Sequence, residues 1–230
     1  VTFASGAIVF GGSLAVTVVA LAALARLAPR LGLVDVPDAR HTHRKATPLV
    51  GGLAGAIGIA ASLLSVPSIE LPWASLAGAG ALLAVGALDD RLRDRFPAAL
   101  KLALQASVAI AFAQSVASGV DAAIVAGFLV VAVNALNFFD HANALLATAL
   151  LAPSVALLQH GDPLGAALTG ACVVLLVASW REKAFAGDAG SLGLGFLATA
   201  IPFERAGADG AMATLPVVAA WIALPLADLA

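Results

Sequence analysis

The sequence predicts an all-α, polytopic membrane protein: an integral helical bundle with about nine transmembrane helices. Three observations carry that expectation. Of 230 residues, 61% are hydrophobic and only 11% are charged, whereas a soluble domain carries roughly 25% charged residues. The mean hydropathy is +1.01. Apolar runs of about 17 residues or more recur along the chain, and each can cross a hydrocarbon core about 30 Å thick. Eleven of the twelve basic residues fall in connections that alternating spans would place on one side. Helices are expected throughout, because an open sheet leaves backbone groups unpaired in lipid.

The expected spans are 6–28, 49–67, 72–88, 98–118, 122–139, 143–159, 163–179, 189–203 and 211–229. The first lacks a small-residue cleavage site and is followed by further spans, so it reads as a retained helix. Gly51, Gly52, Gly55 and Gly58 lay a small-residue stripe along the second span, which lets helix backbones approach closely. Cys172 is the single cysteine and sits inside an apolar run, so no intrachain disulfide can form. A formal charge of −2 argues against non-specific nucleic-acid binding. Residues 1–230 read as one transmembrane domain, and the opening Val1 and abrupt end at Ala230 suggest a piece of a longer chain.

The basic residues orient the bundle. Arg26, Arg30, Arg40, Arg44 and Lys45 surround the first connection, Arg91, Arg93, Arg95 and Lys101 the third, and Arg181 and Lys183 the seventh. Only Arg205 lies opposite, among Glu70, Asp121, Asp162, Glu204 and Asp209. The excess of Lys and Arg marks the cytoplasmic side.

That same side collects carboxylates. Asp89 and Asp90 end the third span, Asp140 the fifth and Asp228 the ninth, and Asp188 precedes the eighth. Ionisable groups at the ends of membrane helices are costly and read as functional by default. Adjacent acids repel unless a cation lies between them. A hard divalent cation held by a few carboxylates and phosphate oxygens suits such a set; Mg²⁺ fits, with Mn²⁺ as the alternative. Arg91, Lys101 and Lys183 could hold phosphate. The bland reading is acids that solvate helix ends and pair with nearby arginines. Gly187-Asp188-Ala189-Gly190-Ser191 opens a helix with free N–H groups, which favour an anion or serve as a plain cap. Asn134, Asn137 and Asp140 share a helical stripe. That stripe suits a polar ligand or hydrogen bonds between helices. His41 and His43, beside three cations, make a poor transition-metal site and an attractive surface for anionic headgroups. His141 could shuttle protons.

These motifs together resemble the polyprenyl-phosphate N-acetylhexosamine-1-phosphate transferases. The first loop, Asp35-Val-Pro-Asp-Ala-Arg40-His-Thr-His43 with Pro48 and Gly51-Gly52, is similar to that family's D-x-P-x-x-R-K-x-H and P-x-x-G-G. Gly86-x-x-Asp89-Asp90-Arg91 with Lys101 and Gln105 resembles its G-x-x-D-D-R and trailing Lys and Gln. Asn134-Ala-Leu-Asn137-Phe-Phe-Asp140 resembles N-A-x-N-x-x-D; Phe185-Ala-Gly187-Asp188-Ala-Gly190-Ser191 resembles F-x-G-D-x-G-S; and Pro225-x-x-Asp228 resembles its late P-x-x-D.

The resemblance implies transfer of a sugar-1-phosphate from a UDP-sugar to a polyprenyl phosphate, releasing UMP, on the cytoplasmic face of the plasma (inner) membrane. UDP-N-acetylglucosamine or a relative is the expected donor, because the first loop lacks the K-K-x-G-T-P-T-M-G-G pattern of the muramoyl-pentapeptide branch. Asp89, Asp90, Asp140 and Asp188 are the implied catalytic residues, with Asp188 and Asp89 as metal ligands. Asn134, Asn137, Asn143, Phe185, Lys101, Arg40 and His43 are the implied substrate-binding residues, with Phe185 stacking on uracil. Expected partners are UDP-sugar, the lipid phosphate, the membrane and, in some members, a second copy.

The sequence departs from the pattern at several points. Asn143 stands where the family has a second acid, His41 where it has Lys, Ala178 where Asn is common, and the glycines after Asp140 are missing. A non-catalytic relative that binds nucleotide-sugar or lipid phosphate is therefore the alternative. An intramembrane protease or proton-coupled transporter is a third reading, from the paired acids alone. Orientation is testable with Cys172→Ala as background. A cysteine at Lys183 should resist a membrane-impermeant maleimide added outside intact cells, and one at Asp121 should react. The reverse pattern would invert the topology.

Overall fold

The computed structural model describes residues 3–36, 46–67, 69–140 and 144–227. The chain runs through α1 (Phe3–Leu31), a two-stranded antiparallel ribbon of β1 (Val34–Asp35) and β2 (Thr47–Pro48), α2 (Gly51–Leu64) and α3 (Trp73–Leu92). After a 3-10 turn at Arg93–Arg95 come α4 (Ala98–Val116), α5 (Gly119–Phe139), α6 (Leu145–Gln159), α7 (Pro163–Trp180), α8 (Gly187–Trp221) and α9 (Ala223–Ala227). Among the described residues, Ala4–Leu31, α4, α5 and α7 are long and apolar enough to cross a membrane, and α2 and α6 are shorter apolar helices. The molecule is an all-α membrane protein.

The first half of α8 is the axis of the bundle. Leu192, Phe196, Ile201 and Phe203 are wholly buried, and α3, α5, α2 and α6 pack around this helix. A helix that is apolar all round must be enclosed. By contrast, Ile8 and Val19 on α1 and Ile110 on α4 are exposed, as lipid-facing residues should be. Edge-to-face rings fix α8 laterally: Phe112 lies 5.4 Å from Phe196, and Phe128 lies 6.0 Å from Phe203.

Small residues set the closest approaches. A Cβ at Gly86 would collide with the Asp188 carbonyl, and one at Gly52 would collide with the Gly190 backbone. These contacts press α3 and α2 against the start of α8. There the free N–H groups of α2 find carbonyls: Gly51 N–H donates to Phe185 O at 2.8 Å, and Gly52 N–H donates to Ala186 O at 2.9 Å.

The antiparallel α3–α8 pair is latched at both ends. At one end Glu204 accepts from the N–H groups of Ala74 and Ser75 at 3.1 and 2.7 Å, capping α3. At the other, Asp90 of α3 caps α8. The single basic residue expected opposite the others also has structural work. Arg205 donates to Asp162 at 2.9 Å and to Glu70 O at 3.0 Å, tying two connections to α8. Asp162 itself caps α7 through the Leu164 N–H, with Pro163 at the first helical position.

The eighth and ninth spans differ from expectation. The predicted break over 203–211 is helical except for a sharp kink at Gly207, whose φ is +66°, a left-handed angle that glycine tolerates. Trp221 then lines a cavity with His160, Asp162, Pro163 and Arg205. The stretch expected as a separate span over 211–229 is taken up by the end of α8, to Trp221, and by the short α9, Ala223–Ala227, as far as the described residues reach.

Substitution of the close-approach glycines tests this packing. Gly52→Ala and Gly86→Ala should each lower thermal stability by about 1–3 kcal/mol or more, the overpacking range. Gly80→Ala, facing open space, should not. Thermal unfolding followed by size-exclusion fluorescence in detergent would read the difference.

Candidate active site

Four helix ends meet at the end of the bundle that carries the basic connections. The C-termini of α3 and α5 bring Asp89, Asp90 and Asp140; the N-termini of α4 and α8 bring Lys101 and Asp188. Each group except Asp188 sits at the end of its helix that its dipole disfavours, because acids prefer N-termini and cations C-termini. The offset comes from across the cluster. Lys101 Nζ contacts Asp89 Oδ2 at 2.7 Å and Asp188 Oδ2 at 2.6 Å. One ammonium therefore bridges two carboxylates separated by about a hundred residues of sequence.

Asp188 is held on its other oxygen as well. Asn137 Nδ2 donates to Asp188 Oδ1 at 2.7 Å and to Ser191 Oγ at 2.8 Å. Ser191 stands in the sequence motif without an assigned role, although its spacing of three from Asp188 puts both on one helix face. With Oδ1 fixed by Asn137, Asp188 directs Oδ2 towards Lys101.

Asp90 is placed otherwise than its neighbour. It is buried, and its two oxygens accept from the Asp188 N–H at 2.9 Å and the Ala189 N–H at 3.1 Å. A distant side chain thus supplies the cap that α8 lacks locally. Gly187, with φ +69°, lets the chain turn there, and a Cβ on it would run into the Asp90 carboxylate. Asp90, expected as a catalytic acid, is committed to α8. Asp140, just beyond α5, accepts from the Gly187 N–H. Burial, with Asp90 and Asp188 nearby, pushes its carboxyl well above the usual carboxylate range.

Two expected substrate contacts have partners within the protein. Asn134 lies one turn deeper and donates to Gln105 Oε1 at 2.6 Å and Val130 O at 2.8 Å, joining α4 to α5. Phe185 is 9% exposed, with its backbone bridged to Leu49 and its N–H on Pro48 O at 2.9 Å. Arg40, His41, His43, His141, Asn143 and Asp228 lie outside the described residues.

For a divalent cation, the donors are hard oxygens. Among the described residues, no three His, Cys, Asp or Glu side chains form a ready-made cage. Two carboxylate oxygens already converge on one positive charge, with Lys101 Nζ standing in for it. That suits Mg²⁺, which binds through one or two carboxylates and fills its sphere with water and phosphate. It does not suit a metal that needs an all-protein cage.

Fold and site together define a helical membrane protein whose acidic helix ends focus on a single cation. No family model matches the chain. Among curated proteins it is 32% identical to an undecaprenyl-phosphate alpha-N-acetylglucosaminyl 1-phosphate transferase of Yersinia pestis, over 89% of this chain and 64% of that one. It is 31% identical to the protein of that name from Escherichia coli K12, with the same coverage. It is also 31% identical to a decaprenyl-phosphate N-acetylglucosaminephosphotransferase of Mycolicibacterium smegmatis, over 79% of this chain and 55% of that one. The chain is a homologue of the polyprenyl-phosphate N-acetylglucosamine-1-phosphate transferases. It spans somewhat less than two thirds of the length of these relatives.

The unequal roles of the two neighbouring acids are testable. Asp90→Asn replaces a charged double acceptor with one acceptor and one donor facing N–H groups. It should cost about 1.5–3 kcal/mol. Asp89→Asn leaves Lys101 paired with Asp188 and should cost less. Thermal unfolding of both variants reads the order; equal losses would contradict it.

Proposed function

We propose that this chain transfers an N-acetylhexosamine-1-phosphate from a UDP-sugar to a polyprenyl phosphate at the cytoplasmic face of the inner membrane. UMP is released, and the product starts a cell-envelope polysaccharide. The observation that carries the proposal is the meeting of Asp89 and Asp188 on one cation at the basic end of the bundle. The names of the relatives support the same reading.

In the reaction, an oxygen of the lipid phosphate attacks the β-phosphorus of the UDP-sugar. The bond from that phosphorus to the bridging oxygen breaks, and UMP leaves with the electron pair. Phosphoryl transfer asks mainly for positioning and charge neutralisation. Asp188 and Asp89 would hold Mg²⁺, which when bound offsets the charge growing on departing UMP. Asn137 orients Asp188 by holding its second oxygen. Lys101 supplies a cation for phosphate oxygens. Asp90 fixes the α8 N-terminus, so that Asp188 is presented at a constant height. Asp140 borders the same turn. Arg40, His43 and Asn143 are assigned to the nucleotide-sugar and lipid phosphate, as is Phe185 to uracil. We also assign α2, α3, α6 and α8 to the bilayer alongside Ala4–Leu31, α4, α5 and α7, the helices long and apolar enough to cross it.

A second reading rests on Asn143, which cannot supply charge where the family pattern that the sequence resembles has an acid. On that reading the chain binds nucleotide-sugar or lipid phosphate without catalysing transfer.

The test is incubation of the complete purified protein with radiolabelled UDP-N-acetylglucosamine, undecaprenyl phosphate and Mg²⁺. Lipid-linked label should appear, fall with chelator, and drop ~100-fold or more in Asp188→Asn, where a metal-binding group is lost. Absence of labelled lipid across several UDP-sugars, with nucleotide-sugar still bound, would favour the second reading over transfer.

A further inference from the structure

We propose that Lys101 is a displaceable internal counter-ion: it holds Asp89 and Asp188 together before a divalent cation arrives, and the arriving cation must evict it. The inference rests on the metal reading of this site, and concerns what the chain does when the metal is away.

Lysine and metal compete for one volume. Lys101 Nζ lies 2.7 Å from Asp89 Oδ2 and 2.6 Å from Asp188 Oδ2. An ion of Mg²⁺ size sits about 2.0–2.1 Å from each carboxylate oxygen it binds. It would have to stand where the ammonium stands, because both take the same two oxygens. The other Asp188 oxygen is held by Asn137, and Asp90 is turned away onto the α8 backbone. Neither carboxylate can offer that shared seat without losing its lysine.

The lysine also has a reason to be there. Without it, two half-buried carboxylates would face each other at a membrane interface, a costly arrangement. At the start of α4 its charge opposes the helix dipole, so the carboxylates alone hold it in place. Its stem is long and flexible. Eviction therefore costs one two-pronged ion pair and leaves a free ammonium beside the bound metal.

Apparent metal affinity is then reduced by the fraction of protein in which the seat is free. Two measurements test this on the purified chain in detergent. First, Mn²⁺ binding is read by electron paramagnetic resonance in the native protein and in Lys101→Met. Relief of competition should tighten binding about tenfold, the factor expected if the seat is free about one tenth of the time. Second, the native protein is treated with a lysine-acylating reagent with and without saturating Mg²⁺, and modification is read by peptide mass spectrometry. Lys183 is exposed and serves as the internal reference. Mg²⁺ should raise the Lys101 rate several-fold relative to Lys183. If Mn²⁺ binds but Mg²⁺ leaves Lys101 as protected as before, displacement is overturned while the metal site stands. Tighter binding in the variant without that gain in labelling is mere charge removal, and overturns it equally. If neither protein binds Mn²⁺, the metal reading itself fails and this inference falls with it. The labelling arm needs no variant, so misfolding of Lys101→Met cannot shelter the proposal.

Discussion

Five charged groups cannot sit together at a membrane interface unless something fixes their distances, and here that constraint is the α3–α8 pair. Glu204 of α8 caps the start of α3, and Asp90 of α3 caps the start of α8. Each helix supplies the partner for the other's unsatisfied N–H groups, the chief liability of a helix end away from water. Gly86 lets the two backbones touch beside Asp188. The consequence is a fixed register. Asp89 cannot slide relative to Asp188, so one ammonium, or one metal ion, can reach both.

The rest of the bundle supports that register. α4 delivers Lys101, and its seam with α5 is pinned one turn deeper by the Gln105–Asn134 hydrogen bond. α5 delivers Asn137, which decides which Asp188 oxygen stays available. α2 closes on the start of α8 through Gly51 and Gly52. Groups that read as site residues in the sequence therefore divide into those that present charge to the cleft and those that hold the presenters still. Asp90 and Asn134 fall in the second group, and this division explains how a small set of acids can act without a dense metal cage.

Much of this was legible from the residues. Helix ends can be placed where apolar runs stop, and the basic connections sort those ends onto one side, so the meeting of Asp89, Asp140 and Asp188 follows from counting spans. What the sequence could not assign was direction. Asp89 and Asp90 are adjacent and chemically identical, yet at 3.6 residues per turn they point about 100° apart, one to Lys101 and one to the α8 backbone. Glu204 read as an acid of a solvated connection because the helix was expected to stop at 203; the continuation of α8 to the Gly207 kink makes it a cap instead. The backbone bridge of Phe185 to Leu49 was not legible either, because a single bridged residue leaves no periodic signal. In each case the missing information was a partner distant in sequence.

Everything at this end of the bundle turns on Asp89 and Asp188 sharing one cation. Crystals of the complete protein soaked in Mn²⁺, with data collected near the manganese absorption edge, address it most directly. The expected result is one anomalous peak within bonding distance of an oxygen from each of the two carboxylates, with Lys101 moved aside. A peak bound to only one of them, or none at this end of the bundle, would contradict it.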